Sequence, residues 1–302
     1  MSYAELFCQS NFSFLQGASH PEELVLQAEK LGYDAIAITD ECSVAGVVRA
    51  YDVIKHQNLS IKLIVGAYFN YQGFTFNLIA PDRAAYGELC RVITNARRRC
   101  TKGEYELNRW DIHSLKACLL IWLPSGDKVE DQQIVSWLAQ YHRPRLYIGY
   151  QRLLKANEQQ HINYCYDLSR QYKLTIVACG AVLMHIVERQ PLQDVLSSIR
   201  HGKLLNDMGV ILEQNAERTL RPLAKIEKLF PEAFVLAGLK LANLCRFDLG
   251  TLQYEYPAEL VPHGQTAINY LKSLVEKGIA LRFLEGVPDD IQVTINKELA
   301  LI

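Results

Sequence analysis

Asp40-Glu41-Cys42 places two carboxylates and a thiol directly after the apolar run Ala35–Thr39. His185 stands in a comparable place, shortly after the run Thr175–Cys179. Carboxylates and imidazole are donors for a divalent ion, and an ion held there would activate water for hydrolysis. As the bland alternative, Asp40 would accept backbone N–H bonds or cap a helix starting near Ser43, and His185 would be a hydrogen-bonded rim group. A thiol beside two acids is disfavoured as thiolate, so Cys42 is not read as a nucleophile. No Ser/His/Asp or Cys/His arrangement can be argued, and neither a phosphate-binding glycine loop nor a dinucleotide fingerprint occurs. His113, His142, His161 and His201 are scattered among ordinary helix residues and are read as structural or surface groups. A different chemistry is offered by Arg91, Arg97, Arg98, Arg99 and Lys102, the one dense basic cluster. It suits phosphate contact, to DNA or an acidic partner, or equally a solvated helix end offsetting its own carbonyls.

These groups need elements to hold them. Seven apolar, β-rich runs are expected as strands: Tyr3–Cys8, Ala35–Thr39, Ile61–Val65, Phe74–Ile79, Cys118–Leu123, Leu146–Gly149 and Thr175–Cys179. Most are continuously apolar, which suits parallel strands buried on both faces under helices. Ser19-His20-Pro21-Glu22 reads as a capping box opening a helix with the stripe Leu24, Ala28 and Leu31, stopped by Gly32. Ser43 is expected to open the next helix, with Val44, Val47, Val48, Tyr51 and Ile54 facing inward. A third should follow Asp82, carrying Leu89, Val92 and Ile93. Others are expected near Asp131–Tyr141, Glu158–Tyr172 and Leu192–His201. Strands alternating with helices point to an α/β barrel, or to an open doubly wound sheet as the second choice. In such barrels reactive groups project from the C-terminal ends of strands, where Asp40 and His185 fall.

The chain has 302 residues, with 33 acidic and 32 basic side chains giving a net charge of −1. That length accommodates a large α/β domain plus a smaller piece. Charged residues at 22% and hydrophobic residues at 49% exclude a disordered tail or a coiled coil. The near-neutral charge excludes a whole-chain polyanion binder and confines any nucleic-acid contact to a local patch. Apolar stretches such as Ala117–Leu123 are too short to span a membrane, and no secretory signal opens the chain. The 8 cysteines, Cys8, Cys42, Cys90, Cys100, Cys118, Cys165, Cys179 and Cys245, have no zinc-knuckle or redox-pair spacing. A reduced, cytoplasmic protein is expected. After about Gly202 strands become scarce, and helices are expected at Glu232–Cys245, Ala267–Phe283 and from Asp290 onward. Tyr254, Tyr256, Pro257 and Pro262 suggest an extended connector over Leu252–Pro262, with a boundary near Pro262. The apolar ending Glu298-Leu299-Ala300-Leu301-Ile302 looks like an interrupted helix, so a fragment of a longer protein is expected.

At the strand ends a resemblance becomes specific. Leu6 to Gly17, Ala37-Ile38-Thr39-Asp40 and Ile64-Val65-Gly66 resemble successive motifs of the PHP (polymerase and histidinol phosphatase) family. Longer stretches resemble one subgroup, the error-prone, DnaE-like C-family bacterial DNA polymerases. They include Ser10-Asn11-Phe12-Ser13-Phe14-Leu15, Gly17-Ala18-Ser19-His20-Pro21-Glu22-Glu23-Leu24 and Ile38-Thr39-Asp40-Glu41-Cys42-Ser43. Ala45-Gly46-Val47-Val48-Arg49-Ala50, Pro191-Leu192-Gln193-Asp194-Val195-Leu196, Asn215-Ala216-Glu217-Arg218, Tyr254-Glu255-Tyr256-Pro257 and the last five residues agree. The resemblance implies a distorted seven-stranded α/β barrel over 1–262, with a helical C-terminal extension, and the start of a polymerase palm over 263–302. It implies a parent that is a DNA-directed DNA polymerase of damage-induced mutagenesis and translesion synthesis. The implied partners are the remainder of that chain, DNA, the sliding clamp and the other mutagenesis proteins. Mg is implied only for the palm, whose catalytic carboxylates would lie beyond Ile302.

PHP domains resembling this one hold up to three metal ions that hydrolyse phosphoesters. The chain departs from that pattern at the ligand positions. Phe7 and Gln9 stand where the family has two histidines, Gln16 where it has aspartate, and Glu41 where it has histidine. Tyr68 replaces a glutamate, and Ala181 and Leu183 replace the aspartate and histidine of the last motif. Asp40 and His185 are the remnants. A hydrolytic cluster needs several donors per ion, and Phe7, Ala181 and Leu183 donate nothing. A metal-free, non-hydrolytic barrel is therefore expected, with Phe7, Tyr68 and Leu183 filling its mouth. The rival expectations are a residual metal-dependent phosphoesterase or 3'-5' exonuclease using Asp40, Glu41, His185 and Gln9, and a docking module for partner proteins. For DNA contact the candidates are Arg97, Arg98, Arg99 and Lys102.

Overall fold

A computed structural model describes residues 2–252 and 260–302. The chain divides into two compact units, Met1–Thr251 and Leu252–Ile302. Most of the expected connector, with Tyr254, Tyr256 and Pro257, lies outside the described residues, and Pro262 falls within the second unit.

In the first unit seven strands form one sheet in chain order: β1 (Ala4–Cys8), β2 (Ala35–Ile38), β3 (Lys62–Tyr71), β4 (Phe74–Ile79), β5 (Leu119–Leu123), β6 (Leu146–Gln151) and β7 (Thr175–Cys179). The sheet nearly closes on itself. Beyond β7, Val182 bridges Cys8; the Gln9 N–H donates to Val182 O and the Val182 N–H to Phe7 O, both at 2.9 Å. The result is a seven-stranded α/β barrel. The expectation of parallel strands fails in one place. β3 runs on to Tyr71 and pairs antiparallel with β4, which pairs antiparallel with β5. Gln72 and Gly73 both have positive φ, 51° and 91°, the signature of a two-residue hairpin turn. Such a turn joins only antiparallel strands. Tyr68 consequently sits inside a strand rather than after one.

Both strand faces are buried. Ala35 and Ala37 of β2 share an inner cluster with Ile64, Ile121 and Val177, while Ile36 and Ile38 pack in the outer cluster beneath the helices. This two-sided burial is why the strands read as continuous apolar runs. The first-unit helices are α1 (Pro21–Lys30), α2 (Ala45–Gln57), α3 (Arg83–Arg98), α4 (Arg109–His113), α5 (Lys128–His142), α6 (Glu158–Tyr172), α7 (Gln190–His201), α8 (Leu223–Leu229) and α9 (Glu232–Leu244). Helix α3 opens as expected, the Asp82 carboxylate accepting the Ala85 N–H at 2.8 Å. Two other starts differ from expectation. Helix α1 takes His20, not Ser19, at its cap, and Glu23 accepts the His20 N–H at 2.9 Å. Helix α2 begins at Ala45, and its Val48 is 61% exposed rather than inward-facing. Helix α9 stoppers one end of the barrel. Its Leu241 and Ala242 join the inner cluster beside Ala4 and Ala35, and the Lys62 ammonium at the start of β3 donates to Ala242 O at 2.7 Å.

The second unit holds α10 (Ala267–Arg282) and α11 (Asp289–Leu301), close to the expected helical spans. No helix among the described residues is long and apolar enough to cross a membrane.

Candidate functional site

The open end of the barrel is built by the residues that follow β1, β2 and β7, together with the middle of β3. Phe7, near the end of β1, is 3% exposed and stacks on Tyr68 with ring centroids 5.3 Å apart and planes 11° off parallel. Ala181 lies in the same inner cluster. Leu183 turns the other way, into a small apolar cluster with Ala18, Met184 and Leu196. Burial, reinforced by the charge of Glu41, pushes the Tyr68 phenol up to about 12. It therefore stays neutral at physiological pH.

The acids beside this aromatic plug are already occupied. Asp40 is fully buried and accepts from the Ser10 N–H at 2.7 Å, the Ser10 hydroxyl at 2.8 Å and the Ser13 hydroxyl at 2.8 Å. Burial raises its carboxyl above the usual range, against the pull of those hydrogen bonds. Asp40 thus braces the loop after β1 rather than capping α2. The same loop must pass close to itself, since a Cβ on Gly17 would lie 2.2 Å from Ser10 O. Glu41 accepts from the Tyr105 hydroxyl at 2.9 Å and from the Gln16 amide, and its own N–H donates to the Ser13 hydroxyl at 2.9 Å. Arg200 approaches the Glu41 carboxylate at 3.8 Å. Gln9 donates to the Ser13 hydroxyl at 3.4 Å. His185 lies to one side. Its N–H donates to the Ser19 hydroxyl at 2.9 Å, and its Nδ1 shares a 2.8 Å hydrogen bond with the same oxygen. Since that oxygen accepts from the backbone, its proton is free to point at Nδ1, which fits a neutral ring; burial lowers the His185 pKa in the same sense.

The structure thus joins Gln9 to Asp40 through Ser13, Gln16 to Glu41 directly, and Phe7 to Tyr68 and Ala181, but leaves Leu183 and His185 apart from them. Ser13, Tyr105 and Arg200, which carry no signal in spacing, complete the network. Arg218, whose Nε donates to Ala181 O at 2.8 Å, was visible only as part of a longer resembling stretch. The Cys42 thiol is pushed up to about 12, chiefly by burial, with Glu41 adding less and Arg97 opposing.

The basic cluster is split. The Arg97 guanidinium donates to Cys42 O at 3.3 Å, Glu41 O at 3.2 Å and Gly103 O at 3.2 Å, and lies over the Tyr105 ring. Arg99 donates to Asp111 at 2.9 Å and to Glu106 O at 3.0 Å. These two arginines fasten the segment after α3; Arg99 is nonetheless exposed, as are Arg91, Arg98 and Lys102. An open cleft of about 1030 Å³ is lined by Ser125, Asn157, His161, Tyr164 and Val210 among others. It includes none of the mouth residues described above, so the mouth geometry is the better guide to chemistry.

A model of the PHP domain family matches residues 5–173, more than half of the chain. The chain belongs to the PHP domain family. An error-prone DNA polymerase of Vibrio vulnificus is 55% identical over the whole chain, and one of Methylococcus capsulatus is 45% identical over 99% of it. The PHP chain spans only about 30% of the length of these curated relatives. Among solved structures, an amidohydrolase from Chromobacterium violaceum with bound sulfate and no metal is 12% identical. The match has a TM-score of 0.41 and covers 59% of this chain and 86% of that one. A likeness of that degree adds nothing to the fold or site described above.

The PHP family implies a metal cluster at this mouth. The donors present do not fit one. Asp40 and Glu41 have their oxygens engaged by Ser10, Ser13, Tyr105 and Gln16, and His185 Nδ1 is taken by Ser19. The Phe7 and Tyr68 rings stack on each other where the family resemblance expects ligands. Among the described residues no group of three or more His, Cys, Asp or Glu could hold an ion.

Proposed function

We propose that this PHP domain belongs to an error-prone DNA-directed DNA polymerase and serves it as a rigid, non-hydrolytic barrel. The observation that carries the polymerase reading is identity of 55% over the full chain to a protein of that name. The loss of hydrolysis is argued from chemistry. A phosphoesterase needs convergent, water-accessible donors, whereas this mouth offers a phenylalanine ring, a neutral phenol and carboxylates already engaged in hydrogen bonds.

On this reading residues 263–302 begin the palm, and the Mg-dependent nucleotidyl transfer belongs to the longer chain. DNA, the sliding clamp and other proteins of damage-induced mutagenesis would be partners of that whole protein. The first role of the barrel would be to buttress the palm and thumb. Residual exonuclease activity is disfavoured because Asp40 and Glu41 are committed to hydrogen bonds within the loop network and His185 lies apart from them. The test is primer extension by the full-length protein, with Mg and a template carrying an abasic site. Extension past the lesion is expected; no extension on damaged or undamaged template would overturn the reading.

A further inference from the structure

Helix α7 has its polarity reversed for a helix on the outside of a barrel. Leu192, Val195 and Ile199 fall at i, i+3 and i+7 on one face and are 40%, 44% and 58% exposed. A surface helix ordinarily turns such a stripe toward the core. Here the buried side carries polar groups instead. Gln193 is only 2% exposed, and its Oε1 and the Asp194 Oδ1 are buried with no hydrogen-bond partner among the described residues. Leu196 anchors the helix by packing on Ala18, Leu183 and Met184. Past the helix end, Leu204 and Val210 are also exposed, at 75% and 86%. A concentration of exposed apolar side chains on this scale marks a contact surface.

We propose that this face of α7 is covered by a segment of the polymerase chain outside these 302 residues, an inference that rests on the polymerase reading above. Two observations select that occupant. The relatives extend to more than three times this length, so most of the polymerase lies elsewhere in the same chain. The stripe is aliphatic at its centre, which suits a permanent protein contact and gives nothing to a phosphate backbone.

Hydroxyl-radical footprinting of the full-length protein tests this, with aliphatic side chains compared inside one molecule. Leu192, Val195 and Ile199 should label at least fivefold more slowly than the exposed references Val48 and Val129, approaching the buried Leu138. Labelling at the rate of Val48 and Val129 would overturn the proposal. So would protection that grows with protein concentration, which would assign the face to a second copy, or protection that appears only when DNA is added. Primer extension on the same sample separates the two readings. Protection without extension would keep an intramolecular contact and overturn the polymerase assignment.

Discussion

Asp40 shows how a side chain at a reactive position becomes a structural one. Its two oxygens receive three donors from Ser10 and Ser13, so removing it strands those donors in a dry site. Asp40→Ala should cost about 3 kcal/mol in urea unfolding, and Asp40→Asn clearly less, because the Ser10 hydroxyl can accept from the new amide. A second residue-scale effect concerns pH. Burial, with help from Arg145, lowers the His142 pKa from 6.5 to about 4. The folded state then binds fewer protons than the unfolded state between those values. The stability associated with neutral His142 is present above pH 6.5 and is lost as pH falls toward 4. From pH 7.5 to 5 the loss should be about 2 kcal/mol. The difference in pH slope between the native protein and His142→Asn isolates it from Asp40 and Glu5, whose raised pKa values act in the opposite sense. At this scale the lack of a metal donor on Phe7, Ala181 and Leu183 is legible from residue type alone. The partners that hold Glu41 were not, because Tyr105 and Arg200 arrive from distant segments and no local spacing announces them.

At the scale of elements, all seven strands and most helices were legible because their apolar runs and caps are local signals. The antiparallel β3–β4–β5 portion was missed. Its runs are as apolar as the parallel ones, since both faces are buried either way, and direction is decided by the Gln72-Gly73 turn. That turn makes a prediction. Gly73→Val places a branched side chain at φ of 91° and should destabilise the barrel by about 2 kcal/mol in thermal or urea unfolding, although nothing lies within 4 Å of its Cβ position. The inner cluster makes another. Phe7→Ala removes a ring that packs on Tyr68 and should cost about 4 kcal/mol by the same measurement. Capping was read one residue early at α1 because Ser19, the expected cap, is committed to His185 across the mouth.

For the whole molecule, a PHP barrel has its end near the strand starts stoppered by α9 and its mouth occupied by an aromatic stack and a hydrogen-bonded carboxylate network. On the proposed reading, that arrangement would leave no place for catalytic water and metal. The most direct measurement is metal content of the purified 302-residue chain by elemental mass spectrometry after incubation with manganese and zinc, with nuclease and phosphatase assays on the same sample. No stoichiometric metal and no hydrolysis are predicted. One or more ions per chain, with hydrolysis abolished by Asp40→Ala or Glu41→Ala, would contradict the account.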